Sequence, residues 1–308
     1  MKNKLTFILY FICLTVSSQI IRGTVVDSLQ NKPLDFVNVF LKKSTFGTFT
    51  DSIGKFEIGC LDSSDSLFIS RIGYRTKKYK ISEINIEKEL RIDLTEAVEK
   101  LNEIIIVNKK VNYTALKKIK DHSKKEESNY FSFQFGTEHC VYVSNPSKIR
   151  GKLENISLEL DEVKDGTKSC KECKVDYITD FNIKFYEYDE KTKKPGNEIY
   201  DKPLLIIPQN KSYTLKINLK DLNIPFPKNG ICIGVEVINT KYKNPKLAGA
   251  ITAPSLNFDR IRKPINNESW VRYRNIGNWN FKSFKGRDKK GVFLDRLTID
   301  LSVKFEKE

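Results

Sequence analysis

Alternation of apolar and polar residues with a period of two runs through most of this chain, and it restricts the fold more than any other feature. A strand sends successive side chains to opposite faces, so Leu297, Ile299, Leu301, Val303 and Phe305, interleaved with Thr298, Asp300, Ser302 and Lys304, describe a strand with one dry and one wet face. The same period appears at Val37, Val39 and Leu41, at Phe56 and Ile58, and at Leu67 and Ile69. It returns at Ile156, Leu158 and Leu160, at Phe181, Ile183 and Phe185, at Tyr213, Leu215, Ile217 and Leu219, and at Ile231, Ile233, Val235 and Val237. Turn signals separate the runs, notably Lys194-Pro195-Gly196-Asn197, Pro225 to Gly230, and Lys285-Gly286-Arg287-Asp288. An all-β chain is therefore expected: a small β-sandwich over residues 19–95, a linker over 96–129, and a larger jelly-roll-like β-sandwich over 130–308. One stretch departs from the period. Tyr113, Leu116 and Ile119 recur every third residue among lysines, which predicts a short basic amphipathic helix within the linker.

The first 18 residues read as a secretory signal peptide. Lys2 and Lys4 precede the apolar run Leu5 to Leu14, and Val16-Ser17-Ser18 supplies slim residues at the expected cleavage site. No later apolar run approaches the length of a membrane span, so the exported chain is expected to carry none and to reside in the periplasm or at the cell surface. The formal charge is +15, of which the leader lysines supply +2. Because the basic residues are spread along the chain among Asp and Glu, they read as a solvated surface, and no nucleic-acid partner is expected.

The segment Gly23-x-Val25-x-Asp27, Pro33-Leu34-x-x-Val37-x-Val39, Gly47-Thr48-x-Thr50-Asp51-x-x-Gly54-x-Phe56 and Gly73-Tyr74 resembles the carboxypeptidase regulatory-like domain, a transthyretin-like sandwich. The resemblance implies an accessory module of the kind found beside some metallocarboxypeptidases and ahead of the plug in outer-membrane transporters of Bacteroidota, and it implies no catalysis. Leu101 to Val107 is similar to the segment that leads into such a plug, but the remaining 200 or so residues are too few for a transporter barrel. Phe181 to Ile238 resembles a jelly-roll region of exported Bacteroidota proteins. Gly23, Gly54 and Gly73 fall where turns or close packing call for a residue without a Cβ.

Chemistry is sparse. The chain has two histidines, His122 and His139, and Lys125 stands where a zinc peptidase would place the glutamate of His-x-x-Glu, so zinc carboxypeptidase activity is excluded. No phosphate-cradling glycine loop or Gly-x-Ser-x-Gly turn occurs, and no cofactor or metal is expected. Five cysteines follow the leader, an odd number, and the close pair Cys170 and Cys173 is a candidate local disulfide. Ser28, Ser52 and Ser66 lie in Asp-Ser-(Leu/Ile) triplets that resemble the O-glycosylation sequon of Bacteroidota. Trp270, Arg272, Arg274, Trp279 and Lys282 interleave both tryptophans with cations and form the candidate ligand-binding surface, since aromatic platforms beside charged donors hold sugar rings. The competing expectation is that Trp270 fills the space between two sheets while Arg272 and Arg274 face water. The reading is a non-catalytic envelope protein that binds a glycan or another envelope protein. The alternative is a carbohydrate-active hydrolase with a carboxylate pair in the C-terminal domain.

Overall fold

A computed structural model of the chain describes residues 19–42, 47–60, 62–71, 74–96, 111–120, 127–131, 133–162, 175–200, 202–238, 252–262, 269–273, 276–281, 283–285 and 292–307. Two compact units result, Met1–Val98 and Glu99–Glu308. Both are built of strands, and the helical segments among the described residues are three-residue 3-10 turns such as Ile81–Glu83 and Lys220–Leu222.

The first unit contains β1 (Gln19–Asp27), β2 (Asn38–Leu41), β3 (Gly47–Phe49), β4 (Lys55–Cys60), β5 (Ser66–Ser70), β6 (Lys77–Lys80) and β7 (Leu90–Leu94). They form two sheets, of order β4-β1-β7 and β3-β2-β5-β6, with β1 and β7 parallel. The alternation expected from the sequence decides which side chains meet between them. Val25, Ile58 and Ile92 from one sheet share a core with Val39, Leu41, Leu67 and Ile69 from the other. Phe56, Ile58 and Cys60 point inward from β4 while Lys55 and Glu57 point to water.

Turn chemistry fixes the connections. Gly54 has φ +74°, and a Cβ there would lie 2.5 Å from the Val25 carbonyl oxygen, so both conformation and space demand glycine. Asp51 Oδ1 accepts the N–H groups of Ile53 and Lys55 and closes the same turn. Asp27 Oδ1 accepts the amides of Leu29 and Gln30, while its Oδ2 accepts the Tyr74 hydroxyl at 2.8 Å. Thr50, fully buried, donates its hydroxyl to the Leu34 carbonyl at 2.6 Å and accepts the Val37 N–H at 2.9 Å. Gly73 lies outside the described residues.

The second unit contains β8 (Lys117–Lys120), β9 (Glu127–Phe131), β10 (Thr137–Val143), β11 (Gly151–Asp161), β12 (Asp180–Asp189), β13 (Lys194–Glu198), β14 (Leu204–Ile206) and β15 (Tyr213–Asn218). It continues through β16 (Pro225–Phe226), β17 (Ile231–Ile238), β18 (Ser255–Arg262), β19 (Ser269–Tyr273), β20 (Ile276–Phe281), β21 (Ser283–Lys285), β22 (Val292–Leu297) and β23 (Asp300–Phe305). A seven-stranded sheet runs β13-β12-β17-β10-β19-β20 with β14 beside β12. A nine-stranded sheet runs β21-β22-β18-β11-β23-β8, with β15 and β16 along β11 and β9 along β18. Val141, Phe181, Ile183, Phe185, Ile233 and Val235 from the first sheet share one core with Ile156, Leu158, Phe258, Leu301 and Val303 from the second. This is the larger, jelly-roll-like sandwich.

The expected helix at 111–128 is corrected: among its described residues, Lys117–Lys120 and Glu127–Phe131 are strands. Spacing of three between Tyr113, Leu116 and Ile119 mimics a helical stripe, yet of these Leu116 is 46% exposed and Ile119 alone packs on the main core. Ile119 lies opposite Leu301, and Lys118 and Lys120 lie opposite Ser302 and Asp300. The segment is thus an edge strand of the second sandwich, protected from further pairing by its lysines.

Replacing Thr50 by Val strands both the Val37 N–H and the Leu34 carbonyl in an apolar interior. The expected cost is about 3 kcal/mol. Amide exchange read by mass spectrometry is the check, with protection around Val37 expected to fall about a hundredfold.

Candidate functional site

The tryptophan-rich segment forms a strand, β19, whose partners show where its side chains go. Trp270 lies opposite Cys140 and Arg272 opposite Glu138 on β10. These residues alternate with His139 and Val141, which face the main core, so Trp270 and Arg272 project from the other face of the seven-stranded sheet. That face is not wet. Trp270 is fully buried and Trp279 is 8% exposed, and both belong to a separate cluster with Cys140, Tyr186 and Cys232. Two expectations are thereby corrected: Trp270 does not fill the space between the sheets, and Trp279 offers no exposed platform. Arg272 does not face water either, its side chain being 12% exposed. Arg274 and Lys282 lie outside the described residues, as do Cys170 and Cys173.

At the centre of this face is Glu138, with no exposed surface. Arg272 Nε donates to its Oε2 at 2.7 Å, the Tyr186 hydroxyl donates to its Oε1 at 2.7 Å, and Lys184 Nζ lies 3.5 Å from Oε2. Lys184 also pairs with Glu236 at 2.9 Å, and Arg272 bonds to the Tyr186 oxygen. The guanidinium of Arg272 sits 4.1 Å from the centroid of the Trp279 ring. Room for the carboxylate comes from Gly234: a Cβ there would stand 2.3 Å from Glu138 Oε1. Tyr142 and Tyr188 stack beside the layer with centroids 4.1 Å apart.

The electrostatics follow from counting charges in a dry place. Burial pushes the Glu138 carboxyl up, but Lys184, Arg272 and the hydrogen bonds from Arg272 and Tyr186 outweigh it and hold the group below its ordinary value. Burial pushes the Cys140 thiol and the Tyr186 phenol well up. Two cations thus balance two carboxylates, leaving Glu198 beside them in excess. Its desolvated carboxyl is pushed up to about 7, with Glu138 and Glu236 adding to the rise and Lys184 and Arg272 opposing it. An acid or base must reach substrate to act. Glu138 is enclosed and already engaged by three donors, so this layer orders the sheet.

His139 packs its ring 3.8 Å from that of Phe133 and edge-on to Phe258, which is a core role. His122 lies outside the described residues. Among the described residues no group of three or more His, Cys, Asp or Glu side chains could hold a metal ion. Cys60, Cys140 and Cys232 are buried and free of disulfides. Ser28 and Ser52 are exposed in turns, whereas Ser66 is half-buried in β5, which is paired on both sides.

A second surface, not singled out in the sequence, is concave. On the outer face of the nine-stranded sheet, β8, β23, β11 and β15 run side by side. Lys118, Ser302, Asn155 and Asn218 form one cross-strand row, and Lys120, Asp300, Ser157 and Lys216 form the next. Lys118 and Lys120 stand on one outer strand and Lys216 on the other, and the central two strands carry short polar side chains. Accordingly Lys118, Lys120, Thr214 and Lys216 are exposed, while Asn155, Ser157, Asp300 and Ser302 are half-buried. The result is a trough of about 410 Å³ with lysines on its walls, Asn155, Ser157, Asp300 and Ser302 on its floor, and the apolar Leu116, Ile119 and Leu301 also lining it. Three strand spacings separate its walls, about 14 Å. No sequence pattern could have shown it, because its rows join positions from Lys118 to Ser302.

Two changes test the buried layer. Gly234→Ala is expected to destabilise the protein by about 3 kcal/mol, because the locked Glu138 carboxylate cannot retreat; urea unfolding measures it. Glu198, with a folded value of about 7 against an ordinary 4.5, contributes stability that is present below pH 4.5 and lost as pH rises through about 7. Glu198→Gln is therefore expected to unfold later than wild type at pH 8, by up to about 3 kcal/mol, with the gap closing towards pH 5.

No curated protein matches the chain. Among solved structures, it is similar to the cysteine protease and lectin-like domains of Cwp84, a surface layer associated protein of Clostridium difficile, at 10% identity and TM-score 0.28, covering 88% of this chain and 59% of that one. It is also similar to a DUF3823 family protein from Parabacteroides merdae, at 10% identity and TM-score 0.20, covering 73% of this chain and all of that one. Infectious bursal disease virus Gx strain gives 8% identity and TM-score 0.24 over 94% of this chain and 65% of that one. Residues 21–106, which include the whole described sandwich of the first unit from Ile21 onward, match the family model of the CarboxypepD_reg-like domain.

Proposed function

We propose that this chain is a non-catalytic envelope protein, exported to the periplasm or cell surface, whose larger sandwich binds a glycan or a partner protein through the outer face of its nine-stranded sheet. The observation that carries the reading is the trough: exposed walls and a half-buried polar floor arranged across four strands. The accessory character of the regulatory-like domain supports it, as does the leader expected over residues 1–18. No helix among the described residues is long and apolar enough to cross a membrane.

One observation favours the hydrolase alternative, the Glu198 carboxyl held near 7, where a general acid works well. The acidic companions that raise it, Glu138 and Glu236, are both buried, so neither pairs with it across an open cleft. Release of reducing ends from envelope polysaccharide by wild type but not by Glu198→Gln would establish the hydrolase instead.

Ser157→Trp fills the trough floor without changing charge. Wild-type protein is expected to retain envelope glycan or a purified envelope protein, and the variant to lose at least tenfold in affinity with its melting curve unchanged. Equal binding by both would place the binding surface elsewhere. Recovery of the native protein from the envelope fraction, with an N-terminus near Gln19, checks its address; a cytosolic protein beginning at Met1 would overturn that part.

A further inference from the structure

The trough's chemistry says what kind of ligand fits it, and this step rests on the binding reading above. Lys118 and Lys120 form one wall and Lys216 stands on the other. None of the three makes an ion pair with a described residue, although neighbouring surface lysines such as Lys152, Lys211 and Lys304 do. A single carboxylate, Asp300, lines the space with them. The floor adds the hydroxyls of Ser157 and Ser302 and the amide of Asn155, groups that both donate and accept.

We propose that the trough binds an extended anionic polysaccharide, one bearing carboxylate or phosphate groups. The walls supply ammonium groups on both sides of a single chain lying along the strands. The floor supplies a lattice of polar groups about 4.8 Å apart across strands and 6.7 Å along them, a spacing suited to sugar hydroxyls. Among the described residues no aromatic side chain lines it, so those residues offer neutral sugars no stacking platform and bases nothing to stack on. An acidic peptide is the less suitable occupant. Peptides gain much of their affinity by adding a strand to a sheet edge. In the floor strands β11 and β23, pairing on both sides consumes the backbone groups.

The test uses the full mature chain with polygalacturonate, pullulan and polyglutamate as probes, at 50 and 300 mM NaCl. Polygalacturonate is expected to bind at least tenfold more tightly than pullulan or polyglutamate, and to weaken at least tenfold at the higher salt. Lys118→Gln/Lys120→Gln/Lys216→Gln, with an unchanged melting curve, is expected to remove at least nine-tenths of the affinity, and Ser157→Trp to do the same. Equal retention of polyglutamate, insensitive to Ser157→Trp, would mean a polycationic surface and overturn the proposal. Pullulan binding that Ser157→Trp abolishes but the lysine variant retains would leave the trough as a glycan site and overturn its anionic specificity. Silence with all three polymers would overturn the anionic-glycan assignment, while a protein ligand lost by Ser157→Trp would still uphold the trough as a binding surface.

Discussion

The second face of the seven-stranded sheet depends on the burial of one carboxylate. A charge removed from water is tolerated only when it is paired and hydrogen-bonded, and Glu138 meets that condition with groups from two other strands. Tyr186 and Lys184 reach it from β12, Arg272 reaches it from β19, and Gly234 on β17 leaves the space it occupies. A slip of one residue in β10 would send Glu138 into the apolar core, turn Val141 out of it and bring His139 into the place of the carboxylate. The network therefore acts as a register lock: four strands satisfy it together in one alignment.

That lock explains which parts of the fold were legible beforehand. Period-two hydrophobicity located β11, β12, β15, β17 and β23, because the inner face of each is apolar whatever the outer face does. It could not say what the outer face meets. In β17, Cys232, Gly234 and Glu236 alternate with Ile231, Ile233 and Val235 in a pattern that reads as one wet face, yet all eight residues from Ile231 to Ile238 are buried. Sequence does not distinguish a glutamate facing water from one facing a lysine 52 positions away. Trp279 and Arg272 were misplaced for the same reason. Their neighbours along the chain resemble those of an exposed platform, and their partners, Tyr186 and Glu138, are remote.

The first unit shows the opposite case, in which a local pattern carries its own physical explanation. Asp27, Thr50, Asp51 and Gly54 were recognisable as a family pattern, and each now has a specific task in turn geometry. Thr50 stitches Leu34 to Val37, Asp51 closes the turn to Lys55, and Asp27 ties a turn to the hydroxyl of Tyr74. Such interactions span few residues or join adjacent loops, so selection leaves them as short motifs. These polar residues serve folding.

Folding does not account in the same way for the floor of the trough. Asn155, Ser157, Asp300 and Ser302 occupy the central strands of a well-paired region, where β-branched or aromatic residues would pack better across strands and where Asn and Asp are disfavoured. Four short polar side chains in neighbouring positions give up cross-strand packing and gain depth. Depth also requires β8, since without Lys118 and Lys120 the floor would open at the edge of β23. The segment whose spacing imitates a helix is thus a wall. Its lysines serve two ends: they blunt an exposed strand edge and line a cavity. The polar groups of the seven-stranded sheet are buried and spent on one another, whereas the trough carries exposed lysines over a half-buried polar floor, and it is this contrast on which the binding proposal rests.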